Sequence, residues 1–88
     1  MQSSTQRQPI SSLPILRRGS TGQDVRNLQA ILYRIDYSID IDGIFGTRTE
    51  ATVKQFQIDH NLLVDGIVGP KTWSALYAEF ALHNEEQV

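Results

Sequence analysis

The 88-residue sequence contains no cysteine. This absence excludes disulfide bonds, thiolate metal sites and a cysteine nucleophile, and it leaves the redox compartment undetermined. Domains of this size often depend on a disulfide or a metal for stability, so here the stability must come from packing. The core is therefore expected to be small and the fold simple.

The sequence is also poor in positive charge and in long apolar runs. Eight Lys and Arg against ten Asp and Glu give a net charge of -2, and the basic residues are spread from Arg7 to Lys71 without forming a stripe. This distribution predicts no nucleic-acid partner. No apolar run approaches the roughly 20 residues that a membrane-spanning helix requires, so the sequence also predicts no membrane insertion.

The two ends of the chain are polar. Residues 1–14 are rich in Gln and Ser and lack the charged start and apolar segment of a signal peptide, so they are expected to form a flexible linker. The predicted domain covers residues 15–82, and residues 83–88 form a polar tail. Three origins remain open: an export signal was removed, the domain was cut from a longer chain, or the protein stays inside the cell.

An eight-residue phrase occurs twice. Asp42-Gly-Ile-Phe-Gly-Thr-Arg-Thr49 is followed, twenty-three positions later, by Asp65-Gly-Ile-Val-Gly-Pro-Lys-Thr72. A second echo relates Val25-Arg-Asn-Leu-Gln29 to Val53-Lys-Gln-Phe-Gln57. Such agreement predicts one helical unit that is used repeatedly.

Apolar spacing places three helices around these repeats. Val25, Leu28, Leu32 and Ile35 form a stripe on helix 1, which is expected to start with a capping box of Ser20 and Gln23. Helix 2 is expected to begin at Gly46 or Thr47, with a capping box closed by Glu50, and to end near His60. Helix 3 is expected to begin near Pro70 and to bury Trp73, Leu76, Tyr77 and Phe80. The predicted fold class is all-α, a small three-helix bundle with an Asp-Gly-x-x-Gly loop before helices 2 and 3.

The connecting segments carry further expectations. Asp followed by Gly makes a tight turn in which the carboxylate accepts amide hydrogen bonds. The repeated residues are therefore predicted to build the loops; they are Asp42, Gly43, Gly46, Thr49, Asp65, Gly66, Gly69 and Thr72. Asn61 suits a left-handed helix end. The segments 39–41 and 62–64 could pair as very short strands.

The sequence shows no catalytic constellation. The two histidines, His60 and His83, lie in no metal-binding spacing. The run from Ser38 through Asp40 to Asp42-Gly43 approaches a calcium loop but lacks its first carboxylate and its closing Glu, since Thr49 stands there. We therefore predict no catalytic residues, no metal and no cofactor.

Taken in order, the motifs resemble a known family. Leu16-Arg-x-Gly-x-x-Gly22, then Val25-x-x-Leu-Gln29, the two Asp-Gly loops, and Trp73-x-x-Leu76 are similar to the three-helix peptidoglycan-binding domain over nearly all of residues 16–76. The chain departs from that pattern at Asp36 and Asn61, where the family often has Gly. Both residues tolerate left-handed backbone, so the fold is expected to be kept.

The resemblance implies a non-catalytic module that binds peptidoglycan or a muropeptide. In the family such modules are typically fused to wall-lytic enzymes, so the expected state is a monomer tethered to such a domain in the cell envelope, periplasmic or extracellular. A related module precedes the catalytic domain of matrix metalloproteinases, which keeps open the alternative of a protein-interaction or prodomain-like module. Glycan recognition and stem-peptide recognition both remain possible.

The difference between the two repeats suggests where a ligand would lie. The first copy carries an aromatic residue and stands beside polar residues, whereas the second stands beside Leu62-Leu63-Val64. Tyrosines and amides beside a shallow loop are common contacts for sugars and peptides. The predicted ligand-binding residues are Tyr33, Tyr37, Asp40, Phe45, Gln29 and Gln57.

Overall fold

The computed structural model describes the backbone of residues 12–86 and the side chains of residues 12–83. Within these residues there are three helices and no strand of a sheet: α1 spans Gln23–Arg34, α2 spans Thr47–Asp59 and α3 spans Pro70–Glu86. The predicted all-α, three-helix fold is confirmed. The third helix continues beyond Leu82, where the sequence pattern placed the end of the domain.

Glycines begin the first two helices. Gly22 is the N-cap of α1 and Gly46 is the N-cap of α2, and neither helix start has a side-chain cap hydrogen bond. The predicted Ser20 capping box is wrong, because the Ser20 hydroxyl instead accepts a hydrogen bond from the Arg17 amide at 3.1 Å. Gln23 turns to the exposed side of α1 and bonds Asn27.

Left-handed residues end the same two helices. Asp36 follows α1 with φ 78° and Asn61 follows α2 with φ 58°. At the end of α1, the backbone amides of Asp36 and Tyr37 donate hydrogen bonds to carbonyls in the last turn of the helix. The backbone amides of Asn61 and Leu62 do the same at the end of α2. This pair of bonds is the Schellman motif. The expectation that Asp36 and Asn61 would replace glycine at these points is confirmed.

The core is a continuous cluster of apolar side chains from all three helices and the connecting segments. Its members are Leu16, Val25, Leu28, Ile31, Leu32, Ile35, Ile39, Phe45, Val53, Phe56, Val68, Trp73 and Leu76. Burying one Val, Leu or Phe side chain contributes about 1.5–3 kcal/mol relative to leaving it in water. Tyr77 departs from its predicted place, since it is exposed and stacks on Trp73.

The segment before α1 connects both repeated loops. Leu16 exchanges two backbone hydrogen bonds with Val68, at 3.2 and 2.8 Å. Ser20 accepts the amide of Phe45 at 3.0 Å, and a second isolated bridge joins Thr21 to Ile44. These bridges replace the predicted pairing of residues 39–41 with 62–64, which is not formed in the described part of the chain.

Two residues before position 15 contact the folded domain. Leu13 packs against the core, and the Trp73 indole nitrogen donates a hydrogen bond of 2.8 Å to the Pro14 carbonyl. Leu13 and Pro14, which are predicted from the sequence to belong to the linker, therefore contact the domain. The rest of the predicted linker, residues 1–11, lies outside the described residues.

Candidate functional site

A buried glutamine on α1 holds the first repeated loop. Gln29 is fully buried, and its Oε1 accepts the backbone amides of Asp42 and Gly43 at 3.0 and 2.9 Å. Its Nε2 lies 3.0–3.1 Å from three acceptors, which are the Asp42 carboxylate, the Ile44 carbonyl and the Thr49 hydroxyl. One side chain thus fixes both ends of the loop to the preceding helix.

The second loop repeats this arrangement on α2. Gln57 is 1% exposed, and its Oε1 accepts the amides of Asp65 and Gly66 at 3.1 and 3.0 Å. Its Nε2 lies 3.0–3.2 Å from the Asp65 carboxylate, the Ile67 carbonyl and the Thr72 hydroxyl. The corresponding distances differ by no more than about 0.1 Å between the loops, so the two loops have the same internal bonding.

The loop aspartates close the turns. An Asp42 carboxylate oxygen accepts the Ile44 amide at 3.0 Å, and an Asp65 oxygen accepts the Ile67 amide at 2.9 Å. The bond from the Ile44 amide, followed by that from the Gln29 side chain, lowers the pKa of Asp42 below its ordinary value. These bonds account for the repeated aspartates in structural terms.

The two loop glycines adopt backbone that other residues avoid. Gly43 has φ 78° and Gly66 has φ 73°, and both are buried. A side chain would also meet a neighbour, since a Cβ on Gly43 would lie 3.1 Å from Arg26, and one on Gly66 would lie 3.1 Å from Lys54. Arg26 and Lys54 occupy matching positions of the helical echo, so each helix covers its loop in the same way.

Three predicted ligand contacts lie in the interior. Gln29 and Gln57 are buried with their amides bonded to the loops, and Phe45 is 1% exposed, with its backbone paired to the segment before α1. None of the three presents a side chain that a ligand could contact. Their role is corrected from ligand binding to support of the loops.

The first loop forms one wall of a groove of about 160 Å³. The lining residues are Ile39, Asp40, Asp42, Ile44, Gly46, Thr47, Arg48 and Thr49. Asp40, Thr47 and Arg48 are exposed, and within the described residues the side chains of Asp40 and Arg48 have no hydrogen-bonding or ionic partner. The groove therefore offers a carboxylate, a hydroxyl and a guanidinium to a ligand.

The second loop forms a matching groove of about 350 Å³. Its lining residues are Leu62, Leu63, Asp65, Ile67, Gly69, Pro70, Lys71 and Thr72. Each lies twenty-three positions after a lining residue of the first groove, so the same eight places of the repeat are used. Two places change in chemical character: Asp40 corresponds to Leu63 and Thr47 to Pro70.

The tyrosines lie in a separate open depression at the end of α1. Its volume is about 390 Å³, and it is lined by Tyr33, Arg34, Asp36, Tyr37 and Ser38. Tyr33 is 59% exposed. The Tyr37 hydroxyl donates a hydrogen bond of 2.6 Å to Asp59, and partial burial followed by this bond raises the Tyr37 pKa above its ordinary value. The same bond lowers the pKa of Asp59.

The depression and the first groove are adjacent along the chain. Ser38 lines the depression and Ile39 lines the groove, so the segment after α1 passes from one to the other. Of the six predicted ligand residues, three remain at the surface: Tyr33 and Tyr37 in the depression, and Asp40 in the groove.

The sequence and the fold are both similar to those of a known domain family. The sequence profile of the peptidoglycan binding domain family matches residues 21–76. The N-terminal domain of SleB is 36% identical with a TM-score of 0.74, and the match covers 78% of this chain and 96% of that domain. The chain belongs to the peptidoglycan binding domain family.

Two larger proteins contain a domain similar to this peptidoglycan-binding domain. A peptidoglycan-binding protein from Clostridioides difficile is 38% identical, with a TM-score of 0.71, and the match covers 73% of this chain and 40% of that one. The endolysin of Burkholderia phage AP3 is 48% identical, with a TM-score of 0.71, and the match covers 73% and 25%. The chain thus spans less than half of these two proteins. No curated protein sequence matches it significantly.

This peptidoglycan-binding domain is a non-catalytic module of a kind found beside cell-wall hydrolases. Among its described residues, no group of three or more His, Cys, Asp or Glu could hold a metal ion. His60 and His83 both contact Glu79, at 3.3 and 4.0 Å, and His83 also contacts Asp36. In the same residues, no helix is long and apolar enough to cross a membrane.

Two features were not predicted from the sequence: the support of the loops by the two buried glutamines, and the matching grooves. The signal for the first was present, because Gln ends both copies of the Val-x-x-(Leu or Phe)-Gln echo, four positions after a buried Val. That spacing places Gln29 and Gln57 on the buried faces of their helices. Arg48 and Lys71 were also missed as groove residues, although they correspond in the repeat.

Proposed function

We propose that this peptidoglycan-binding domain contacts the cell wall through the surface around its first loop, and so holds an attached or partner domain at the polymer. Membership of the family carries the function. The place of contact rests on the chemistry of the first groove and of the depression beside it.

The first groove suits a polar polymer because its exposed groups are uncommitted. Asp40 and Arg48 offer opposite charges in one groove, and Thr47 adds a hydroxyl. Neither charged side chain would have to leave a partner in the described structure before bonding a ligand. Hydroxyls and amides of glycans and peptides pair with such groups, and each bond to a charged group is worth about 1.5–3 kcal/mol.

The tyrosines add an apolar face to this polar surface. Tyr33 leaves more than half of its surface in water, and Tyr37 is held by the bond to Asp59 with its ring against Phe56 at 5.9 Å. A ring that is already fixed loses little freedom when a ligand packs on it. The proposed contact residues are therefore Tyr33, Tyr37 and Asp40, with Thr47 and Arg48 added.

A binding module of this kind raises the local concentration of its attached domain at the wall polymer. A domain joined to it experiences an effective concentration of wall polymer set by the length of the connection. The proposed setting is the periplasmic or extracellular face of the envelope, where a monomeric module would be joined to a wall-lytic domain and recognise a muropeptide unit.

Co-sedimentation with purified sacculi tests the proposal. The domain is expected to pellet with sacculi at micromolar concentration, and Tyr33→Ala is expected to weaken binding by about 1–2 kcal/mol, which is about 5- to 30-fold. Ile58→Ala is the matched control, because Ile58 is a similarly exposed apolar residue, on α2.

A second pair of variants tests the polar part of the surface. Asp40→Asn is expected to weaken binding, whereas Asp24→Asn, which removes the same charge from the first turn of α1, is not. If the folded domain stays in the supernatant with sacculi of every chemotype tried, wall binding is refuted, and the interaction-module alternative becomes the better explanation.

A further inference from the structure

The two grooves share one framework but differ at places that the framework does not determine. The bonds from the buried glutamine to its loop, which we call the glutamine clamp, are the same in both loops. However, the first groove has Asp40 and Thr47 where the second has Leu63 and Pro70. The loop therefore has the same internal bonds whether a carboxylate or an isobutyl group stands at that place. Building the loop does not explain why Leu63 stands there.

Leu63 is also not explained by the core. It is 79% exposed, and Val64 beside it is 45% exposed, so the chain places two apolar side chains in water next to a groove. Exposure of one Leu needs no explanation, but here it lines a cavity with Ile67, Pro70 and the half-buried Leu62. These side chains give the second groove an apolar wall, of which Leu63 is largely exposed to solvent.

The charge of the second groove points to the kind of ligand. The Asp65 oxygen that faces the loop accepts bonds from Gln57 and from the Ile67 amide. The Lys71 ammonium has no hydrogen-bonding or ionic partner within the described residues. The groove therefore combines aliphatic walls with two charged groups: the Asp65 carboxylate, one oxygen of which is bonded within the loop, and the Lys71 ammonium. Because the ammonium has no partner within the described residues, it can pair with the carboxylate of an aliphatic ligand.

We infer that the second groove is a binding site of its own, for a short aliphatic peptide with a carboxylate, which in peptidoglycan is the stem peptide. Lys71 pairs with the carboxylate, and Leu63 and Pro70 contact the aliphatic side chains. This inference rests on the proposed function, and it divides recognition: the first groove takes a polar part of the polymer, while the second takes its peptide.

Two occupied grooves would also strengthen attachment to a polymer. A ligand that fills both sites binds the second intramolecularly, so that two weak contacts combine into a tighter one. Soluble peptide alone should then bind weakly, and the intact wall more tightly.

Methyl NMR with a defined probe tests the site. N-acetyl-alanyl-alanine with a free carboxylate is titrated to millimolar concentration, and its C-terminal amide serves as the control ligand. The expected result is a set of shifts at the Leu63 and Ile67 methyls, with affinity at least 5-fold lower for the amide. Shifts confined to the Ile39 and Ile44 methyls of the first groove, or no shifts at all, would overturn the inference.

Variants separate this inference from the proposed function. Leu63→Asp places the residue of the first groove in the second, and it is expected to lower peptide affinity at least 10-fold and sacculus binding about 5- to 30-fold. Lys71→Gln is expected to remove the difference between acid and amide probes. Ile58→Ala is the control for loss of an exposed aliphatic side chain, and it is expected to change neither the peptide affinity nor the binding to sacculi.

Each outcome has one meaning. If Leu63→Asp and Lys71→Gln bind sacculi like the parent domain and the peptide causes no shift, the second groove is refuted and wall binding stands. If the parent domain does not bind sacculi, the proposed function fails, and the peptide titration still decides the groove. Circular dichroism checks the fold of each variant, with Leu63→Ser as the milder replacement.

Discussion

Replacing Gln29 with Leu should destabilise the domain strongly without changing its helices. Leu fits roughly the same volume but has neither the donor nor the acceptor of the amide. The Gly43 amide, in a buried residue, then loses its acceptor, which costs about 1–3 kcal/mol, and the lost bond to Thr49 adds about 1 kcal/mol. The bonds to Asp42 contribute less, because Asp42 is exposed and water can replace them.

The expected loss is therefore about 2–4 kcal/mol. A domain of 75 residues, the length of the described segment 12–86, is stable by only about 4–11 kcal/mol in total, at about 0.05–0.15 kcal/mol per residue. The same loss corresponds to a fall in Tm of roughly 8–30 °C. The variant should thus melt well below the parent.

Urea denaturation followed by circular dichroism measures this difference. Gln23→Leu is the matched control, since Gln23 lies on the same helix, is exposed and bonds the Asn27 side chain at 3.0 Å on the surface of α1. Its stability should change by less than about 0.5 kcal/mol. The reasoning is refuted if Gln29→Leu and Gln23→Leu have equal free energies of unfolding.

Three further predictions follow from the loops and the N-terminal contact. Gly43→Ala should cost about 1–2 kcal/mol because of its positive φ, whereas Gly46→Ala, with φ -106° and open space around it, should cost less; thermal melts compare the two. Trp73→Phe should cost about 1–2 kcal/mol in urea denaturation, because it loses the bond to Pro14 and part of its packing; an unchanged midpoint would contradict this. The lowered pKa of Asp42 contributes stability that is complete above the ordinary pKa of an aspartate and is lost as the pH falls through the lower pKa of the folded state. Thermal melts from pH 6 to pH 2 should therefore show a smaller acid loss for Asp42→Asn than for the parent.

Local chemistry predicted the helices well. Each of three features follows from a few adjacent residues: the apolar stripe of α1, the glycine-containing loops, and the left-handed helix ends at Asp36 and Asn61. Local sequence was therefore enough to predict them. The capping box at Ser20 failed because Gly22, two positions later, provides the turn into α1, and Ser20 caps its own preceding turn instead.

The candidate site was harder to predict because it depends on contacts between distant residues. Gln29 and Gln57 have the hydrogen-bonding groups of ligand contacts, and only the packing of each helix on its loop shows that these groups are used internally. Phe45 is predicted as a ligand contact because the second copy has Val68 at the matching position, yet both side chains are buried in the structure. Asp40 and Tyr33 are exposed, whereas Tyr37 is half-buried with its hydroxyl bonded to Asp59, so all three side chains keep some surface in contact with solvent.

The glutamine clamps connect a helix to the following loop at two places, and the opening of each connection can be observed separately. Gln29 ties α1 to the loop before α2, and Gln57 ties α2 to the loop before α3, so each helix is anchored through its predecessor. The amide protons of Gly43 and Gly66 are each donated to one of these glutamines. Their hydrogen-exchange rates therefore report, residue by residue, how often each connection opens, and a ligand that tightens only one loop will slow only one of them.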